Sequence, residues 1–227
     1  MSILVIAAHP DDEVLGCGGT IAKSVSQGLD VNVIIAAEGF TSRQQSRDPI
    51  ASSSELESLR NCAYAASSIL GVSNLDFLEL PDNRMDSINL LDVVKLIEQK
   101  VDYYSPSTVF FHHCGDVNID HTILHKAVCT ACRPMPGSVV KSLISFEVPS
   151  STEWQLPGSA PPFIPNWYVD ISDFWEIKLR SLEAYAVEMR PWPHARSIEA
   201  LWHLASLRGS QVGFKAAEAF CLLRKLA

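Results

Sequence analysis

The 227-residue sequence has few basic residues and no long hydrophobic run. Lysine and arginine together number 18 against 26 aspartates and glutamates, which gives a net charge of −8 at pH 7. An acidic surface disfavours binding to nucleic acid and anionic membranes, and no segment approaches the roughly 18 apolar residues of a membrane span. The first residues also lack the charged region and cleavage site of a secretory signal. We therefore expect a cytoplasmic protein that binds no nucleic acid and has no integral membrane segment.

Cysteines are few, and they do not form a zinc-binding pattern. Six are present, and only Cys129 and Cys132 are spaced as a CxxC. A four-sulfur zinc site needs a second such pair, which this sequence lacks. Because intracellular thiols are usually kept reduced, we expect free cysteines, with Cys129 and Cys132 on a helix as small buried hydrophobic residues.

Short apolar runs alternate with helical patterns along most of the chain. Near-continuous apolar runs at residues 3–8 and 31–37 are typical of parallel strands covered on both faces. Further strands are predicted over residues 75–80, 108–112, 142–148 and 167–171, and helices over residues 18–28, 52–71, 88–101, 119–132, 172–187 and 197–207. This alternation predicts an α/β fold, a Rossmann-like three-layer αβα architecture with a mostly parallel sheet. We expect one domain over residues 1–227, with a C-terminal extension that ends in an element at 216–226.

Polar side chains follow two of the predicted strands. The first strand leads into His9, Asp11, Asp12 and Glu13, and the strand at 108–112 leads into a histidine- and aspartate-rich segment, residues 112–121. Ligands bind at the carboxyl ends of the strands in such sheets. Zinc takes histidine nitrogen and carboxylate oxygen, and a catalytic zinc typically keeps three protein ligands and a water. We therefore expect the two clusters to converge on one metal site.

Other interpretations of these residues stay open at this point. An aspartate after a strand commonly caps the next helix, and His112 and His113 could equally well be structural residues at the end of a strand. Residues 16–19 with Glu38 resemble a dinucleotide-binding turn. That interpretation is disfavoured because the glycines do not follow the strand directly and acids stand where a pyrophosphate would lie. We expect the glycines to let a helix pack closely on the sheet.

Residues 8–13 and 115–121 carry two specific motifs, and matches at 16–19, 65–71, 80–82, 208–209 and 217–220 follow in the same order. With them the sequence resembles the LmbE-like or PIG-L deacetylases, which are zinc-dependent hydrolases of N-acetylated sugars. The resemblance implies removal of an acetyl group from an N-acetylglucosamine-like moiety of a small molecule or glycoconjugate. It also implies zinc as the cofactor, and it is compatible with a homo-oligomer.

The same resemblance implies roles for individual residues. His9, Asp12 and His121 match the metal ligands, and Asp11 matches the general base. Asp120 matches an acid that orients a neighbouring histidine in relatives.

That neighbouring histidine is replaced here by Asn118, which can donate a hydrogen bond to an oxyanion but cannot supply a proton. His194, in a Pro-His stretch similar to one in relatives, and Asp11 are therefore the candidate proton donors. Arg60 is the nearest match to the family's substrate-binding arginine, and Trp154 and Asp116 are further candidate substrate contacts. Two other functions remain open: an amidase acting on another acylated amine or a thiol conjugate, and a non-catalytic metal- or sugar-binding protein.

Overall fold

The computed structural model describes residues 2–227, and a seven-stranded sheet forms its centre. The strands are β1 (Ser2–Ala7), β2 (Asp30–Ala37), β3 (Asn74–Leu80), β4 (Thr108–His112), β5 (Ser142–Phe146), β6 (Trp167–Asp170) and β7 (Ala217–Lys225). They lie in the order β3-β2-β1-β4-β5-β7-β6. Strands β1 to β5 pair in parallel, whereas β7 runs antiparallel to both β5 and β6. The predicted mostly parallel sheet is confirmed.

Helices cover both faces of this sheet. They are α1 (Asp12–Ser26), α2 (Ser53–Leu70), α3 (Leu90–Tyr104), α4 (Ile119–Ala131), α5 (Trp175–Ala184) and α6 (Ile198–Ser210). Ile3 and Val5 of β1 pack with residues of α1, α2, α5 and α6, whereas Leu4 and Ile6 pack with α3 and α4. Successive strand residues face opposite sides, which explains why β1 is apolar from Ile3 to Ala7. The three-layer αβα architecture is confirmed.

Helix α1 begins at Asp12, six residues before the predicted start at Gly18. Gly16, between these positions, has low intrinsic helix propensity, but close packing outweighs it. A Cβ added to Gly16 would lie 2.4 Å from Cδ2 of Phe146 on β5. The expectation that the glycines of residues 16–19 allow close approach of helix and sheet is confirmed at Gly16.

A kink divides α1, because Cys17 has a non-helical φ of −150°. The second half of the helix is capped by a distant carboxylate: Glu218 on β7 accepts hydrogen bonds from the backbone N–H groups of Gly19 (2.9 Å) and Thr20 (2.7 Å). Lys178 of α5 donates to the same carboxylate at 2.6 Å, and the pair is buried. The C-terminal residues thus hold α1, and with it the turn that precedes it.

The last predicted element, residues 216–226, forms β7 and lies between β5 and β6. The C-terminal extension therefore widens the sheet as well as packing on it. Helix α5 ends at Ala184, three residues earlier than predicted, and residues 185–197 form turns that lead to α6.

Within residues 2–227, no helix is both long and apolar enough to cross a membrane. The six cysteines are free, and Cys132 is buried between α3 and α4 as a small hydrophobic residue.

Candidate metal centre

Strands β1 and β4 are neighbours, so their two motifs meet at the carboxyl edge of the sheet. Three donor atoms form a small triangle there. His9 Nδ1 lies 3.2 Å from Asp12 Oδ2, His121 Nε2 lies 3.1 Å from the same oxygen, and the two ring nitrogens are 3.3 Å apart. The structure thus brings together the three predicted metal ligands.

The size of this triangle matches a zinc coordination shell. Zinc binds histidine nitrogen and carboxylate oxygen at about 2.0–2.2 Å, so two ligand atoms at a tetrahedral angle lie about 3.4 Å apart. The second carboxylate oxygen of Asp12, Oδ1, is buried and has no hydrogen-bond partner among residues 2–227. A divalent cation beside this carboxylate would satisfy a group that is costly to bury unpaired.

Each of the two histidines has a carboxylate at its other ring nitrogen. His9 Nε2 lies 3.1 Å from Asp120 Oδ2 and 3.3 Å from Asp82 Oδ1. His121 Nδ1 lies 3.1 Å from Asp116 Oδ2, as a close ion pair rather than a straight hydrogen bond. Histidines that bind metals usually have such a partner, which fixes the ring orientation and the tautomer.

His9, Asp82 and Asp120 form a second group with metal-binding side chains close together. The oxygens of Asp120 are already engaged, because they accept hydrogen bonds from the backbone N–H groups of Asn83 (2.6 Å) and Met85 (2.9 Å). Asp82 likewise accepts at Oδ2 from a backbone N–H, 2.9 Å away. These two aspartates are therefore better suited to orient His9 than to bind a metal.

The electrostatics of the centre favour a cation. Burial alone would lower the pKa of His121, but Asp12 and Asp116 raise it to about 9. Burial also opposes protonation of His9, and Asp12 and Asp120 nevertheless raise its pKa well above the usual value. The excess of buried carboxylates thus attracts positive charge to the two rings. A divalent cation would supply that charge while both histidines stay neutral.

Asp11 occupies the turn between β1 and α1 in a left-handed conformation, with φ 105°. This conformation is unfavourable for a residue with a side chain, and Glu13 supports it. Glu13 Oε2 accepts from the Asp11 N–H (3.1 Å), and Oε1 accepts from the Tyr185 hydroxyl (2.7 Å). The third acid of the motif therefore shapes the turn.

The side chain of Asp11 is paired with Arg196, a residue that lies 185 positions further along the chain. Arg196 Nη1 donates to Asp11 Oδ2 at 2.7 Å, whereas Oδ1 accepts no hydrogen bond from residues 2–227. Burial raises the pKa of the Asp11 carboxyl well above its usual value, and Arg196 partly opposes this rise. Asp11 thus has one oxygen held in place and one available.

His194 lies in the same loop as Arg196. Its Nδ1 accepts the backbone N–H of Arg196 at 3.0 Å, so a neutral ring carries its proton on Nε2. The ring packs edge-on against Trp154, with 5.7 Å between centroids, and Trp154 is 53% exposed. Two of the predicted site residues are therefore adjacent, on loops that follow β5 and α5.

Two predicted residues have surroundings that differ from the expected ones. Asp116, expected to contact substrate, is buried against His121. Burial alone would raise its pKa, but the contact with His121 and the hydrogen bond from Ser151 lower it to about 2. Asn118 caps helix α4, its side chain accepting the Asp120 N–H at 2.9 Å. Its amide group is therefore partly committed to the fold.

A third predicted residue, Arg60, is not brought into the cluster. Its guanidinium pairs with Glu79 (2.7 Å) and lies over the ring of Phe77, both on β3. Arg60, the nearest arginine in sequence register, is thus a half-buried residue of α2 that packs on the edge strand β3.

Several residues around the centre were not predicted from the sequence. Asp82 lies two residues after the end of β3, so the strand-end reasoning that identified His9 also applies to it. His112 is buried, accepts the Ala8 N–H at 2.7 Å and stacks on His121 with 3.8 Å between ring centroids. Arg196 has no local sequence signal and is found only through the contact that it makes.

The profile of the family PIG-L, described as GlcNAc-PI de-N-acetylase, matches residues 4–132, which is more than half of the chain. The chain belongs to the PIG-L family. The matched region contains both motifs of the metal centre, and the residues after it supply Arg196 and β7.

Individual proteins that are similar in sequence or in fold are mostly deacetylases. The uncharacterized deacetylase YaiS of Escherichia coli is 30% identical over 189 residues, which cover 81% of this chain and 89% of YaiS. The diacetylchitobiose deacetylase of Thermococcus kodakarensis is 28% identical over 190 residues, with 81% of this chain and 68% of the relative covered. The fold also matches the crystal structure of GalB, the 4-carboxy-2-hydroxymuconate hydratase of Pseudomonas putida, with a TM-score of 0.80, 21% identity and coverage of 100% and 97% of the two chains.

Proposed function

We propose that the protein is a zinc-dependent N-deacetylase that removes the acetyl group from an N-acetylglucosamine-like moiety. The observation that supports this function most strongly is the triangle of His9, Asp12 and His121 beside the half-free carboxylate of Asp11. Family membership and the similarity to a diacetylchitobiose deacetylase favour an acetylated amino sugar as the substrate.

His9 Nδ1, Asp12 Oδ2 and His121 Nε2 would hold the zinc ion. When bound, zinc polarises the acetamide carbonyl and lowers the pKa of water towards 7. The carboxylates behind the two histidines orient the rings for this role.

Asp11 is the proposed general base. Its Oδ2 is held by Arg196, so Oδ1 is the oxygen that takes a proton from the attacking water. As the water oxygen bonds to the acetamide carbon, the carbonyl oxygen gains negative charge, and an N–H donor nearby stabilises it. His194 Nε2–H is the proposed donor, because the amide of Asn118 is partly committed to capping α4 and to Asn83.

Cleavage of the C–N bond then releases acetate and an amine. The nitrogen needs a proton as it leaves, and Asp11 holds the one taken from water, so the proton balance closes without any other reagent. His194 is the second candidate for this transfer. Trp154 offers an exposed aromatic face next to His194, and we propose that the sugar ring packs against it.

An acetate-release assay tests this function. The zinc-loaded protein is incubated with N-acetylglucosamine, N,N′-diacetylchitobiose and the N-benzoyl analogue of glucosamine, and the acid and the free amine are both measured. We expect equal amounts of acetate and amine from an acetylated sugar. Release of benzoate but no acetate would favour an amidase for larger acyl groups, and no release from any of them would contradict the proposal.

The fold alone does not select the reaction, since a hydratase has it as well. A parallel assay for hydration of an unsaturated tricarboxylate, 4-carboxy-2-hydroxymuconate, therefore accompanies the acetate assay. Turnover there without amide cleavage would replace deacetylation as the proposed reaction.

A further inference from the structure

The loop after β5 contacts the surroundings of both metal-binding motifs. Four consecutive residues of this loop, Ser150, Ser151, Thr152 and Glu153, are called here the SSTE segment (residues 150–153). The segment belongs to neither of the two motifs that identify the family. It has side-chain contacts in two directions, one towards His121 and one towards Asp11.

In the first direction, the hydroxyl groups of Ser151 and Thr152 both donate to the carboxylate of Asp116, and Thr152 does so at 2.7 Å. The Thr152 oxygen also accepts the Val148 N–H at 2.8 Å, which leaves its own hydrogen directed to Asp116. Both hydroxyl side chains are buried. Asp116 Oδ2 in turn faces His121 Nδ1, so these two hydroxyls determine where the carboxylate behind His121 lies.

In the second direction, Ser150 Oγ accepts from Arg196 Nε at 2.7 Å. Arg196 Nη1 donates to Asp11 Oδ2, also at 2.7 Å. An arginine guanidinium is a rigid plane, so fixing its Nε fixes the direction in which Nη1 meets Asp11. Ser150 therefore determines the position of the oxygen that Arg196 holds.

The segment itself is held in an unusual backbone conformation. Ser150 has φ 70°, in the left-handed region that residues with a side chain rarely adopt. Glu153 supports it by accepting the Ser150 N–H (2.6 Å) and the Ser151 N–H (3.4 Å). This local network presents three consecutive hydroxyl groups to two different partners.

We propose that the SSTE segment and Arg196 are positioning residues that align His121 and Asp11 with each other. The inference rests on the proposed function, because it concerns the same metal centre. Ser151 and Thr152 act on the metal through Asp116 and His121. Ser150 acts on the reaction through Arg196 and Asp11.

The first test measures metal affinity, which requires no substrate. The double variant Ser151→Ala/Thr152→Val removes both donors to Asp116 while preserving side-chain size at 152. We expect its zinc dissociation constant, measured by chelator competition, to rise about 10–100-fold, the usual effect of losing an outer-shell partner. Ser159→Ala, at an exposed position of the same loop, is the matched control and should match the wild type.

The second test separates positioning of Asp11 from metal binding. Arg196→Ala should leave the zinc dissociation constant within about threefold but lower kcat about 100-fold, the cost of a misplaced catalytic group, with little change in KM. Arg196→Lys should recover part of kcat, because lysine restores the cation beside Asp11 but not the contact with Ser150. Arg180→Ala, an exposed arginine on α5, is the control. Thermal unfolding shows which variants remain folded.

The outcomes distinguish this inference from the proposed function. If the wild type binds zinc and Ser151→Ala/Thr152→Val binds it with the same dissociation constant, the role of the two hydroxyls is overturned. The deacetylase proposal then stays intact. An effect of Arg196→Ala on KM alone overturns its positioning role, since a substrate contact would behave in that way. If the wild type binds no divalent metal, the proposed function and the positioning role fall together. If either variant unfolds, Ser150→Ala and the single variant Thr152→Val provide the same two measurements.

Discussion

Replacing Asp11 with asparagine tests the chemistry of the centre with a small change in shape. The asparagine side chain keeps the volume of the aspartate and an oxygen that can accept from Arg196. It does not accept a proton from water. None of the three donor atoms of the metal triangle belongs to Asp11, so we expect zinc to remain bound while turnover falls.

The substitution is expected to have two separate effects, a large one on the reaction rate and a small one on stability. Removing a positioned general base typically costs about 10²–10⁴-fold in rate, or about 2.7–5.4 kcal/mol of transition-state stabilisation at 1.36 kcal/mol per tenfold. Stability should change much less, by about 1 kcal/mol, because the hydrogen bond from Arg196 is weakened rather than lost. For a chain of this size that corresponds to a fall in Tm of roughly 2–4 °C.

Three measurements on one preparation check this prediction: zinc content by elemental analysis, acetate release under saturating substrate, and Tm. Asp173→Asn, at an exposed position, controls for the loss of one charge. Activity of Asp11→Asn within threefold of the wild type would refute the assignment of Asp11 as the base. Loss of zinc together with activity would instead make Asp11 part of the metal-binding shell.

Three further predictions concern the metal and the packing around it. His121→Ala should weaken zinc binding by more than 100-fold, since about 100-fold is the upper effect of losing a residue that only contacts a metal ligand. Unchanged zinc content after dialysis would show that another side chain takes its place. Gly16→Ala should destabilise the protein by about 1–3 kcal/mol through overpacking, because the added methyl group meets Phe146; an unchanged Tm would contradict that contact. Glu218→Gln should leave the buried Lys178 ammonium without its counterion and lower the free energy of unfolding by about 3 kcal/mol. A Tm equal to that of the exposed-site control Glu176→Gln would show that the ion pair does not stabilise the fold.

The meeting of the two motifs could be predicted because each follows a strand, whereas the resemblance to the family singled out His9, Asp12 and His121 as the expected ligands. His9 and Asp12 are three residues apart in one turn, and His121 lies in the first turn of α4. Strand alternation predicts that β1 and β4 end at the same edge, and their direct pairing brings the motifs together. Local sequence therefore brings the candidate donors to one edge of the sheet, and the family motifs select three of them.

The contacts around these ligands could not be predicted in the same way. Arg196 reaches Asp11 across 185 positions, and the SSTE segment reaches Asp116 across about 35. Such contacts depend on how β7 and the loops after β5 and α5 pack, and no local pattern encodes that packing. Arg60, matched only by sequence register, contacts Glu79 and Phe77 of β3 in the structure, and its role in substrate binding stays a prediction.

Asn118 shows a local signal that was open to two interpretations. An asparagine before a helix is a preferred N-cap, and Asn118 has that role in α4. The family motif instead suggests a contact with the reacting group. Both interpretations use the same amide, and the structure shows that its oxygen bonds to the helix.

The most direct test of the metal centre is X-ray absorption spectroscopy of the protein loaded with one equivalent of zinc. We predict nitrogen and oxygen neighbours at about 2.0–2.1 Å, with the multiple-scattering pattern of two imidazole rings, and of one ring in His121→Ala. Sulfur neighbours at about 2.3 Å, or a spectrum that is identical in His121→Ala, would contradict a zinc site formed by His9, Asp12 and His121.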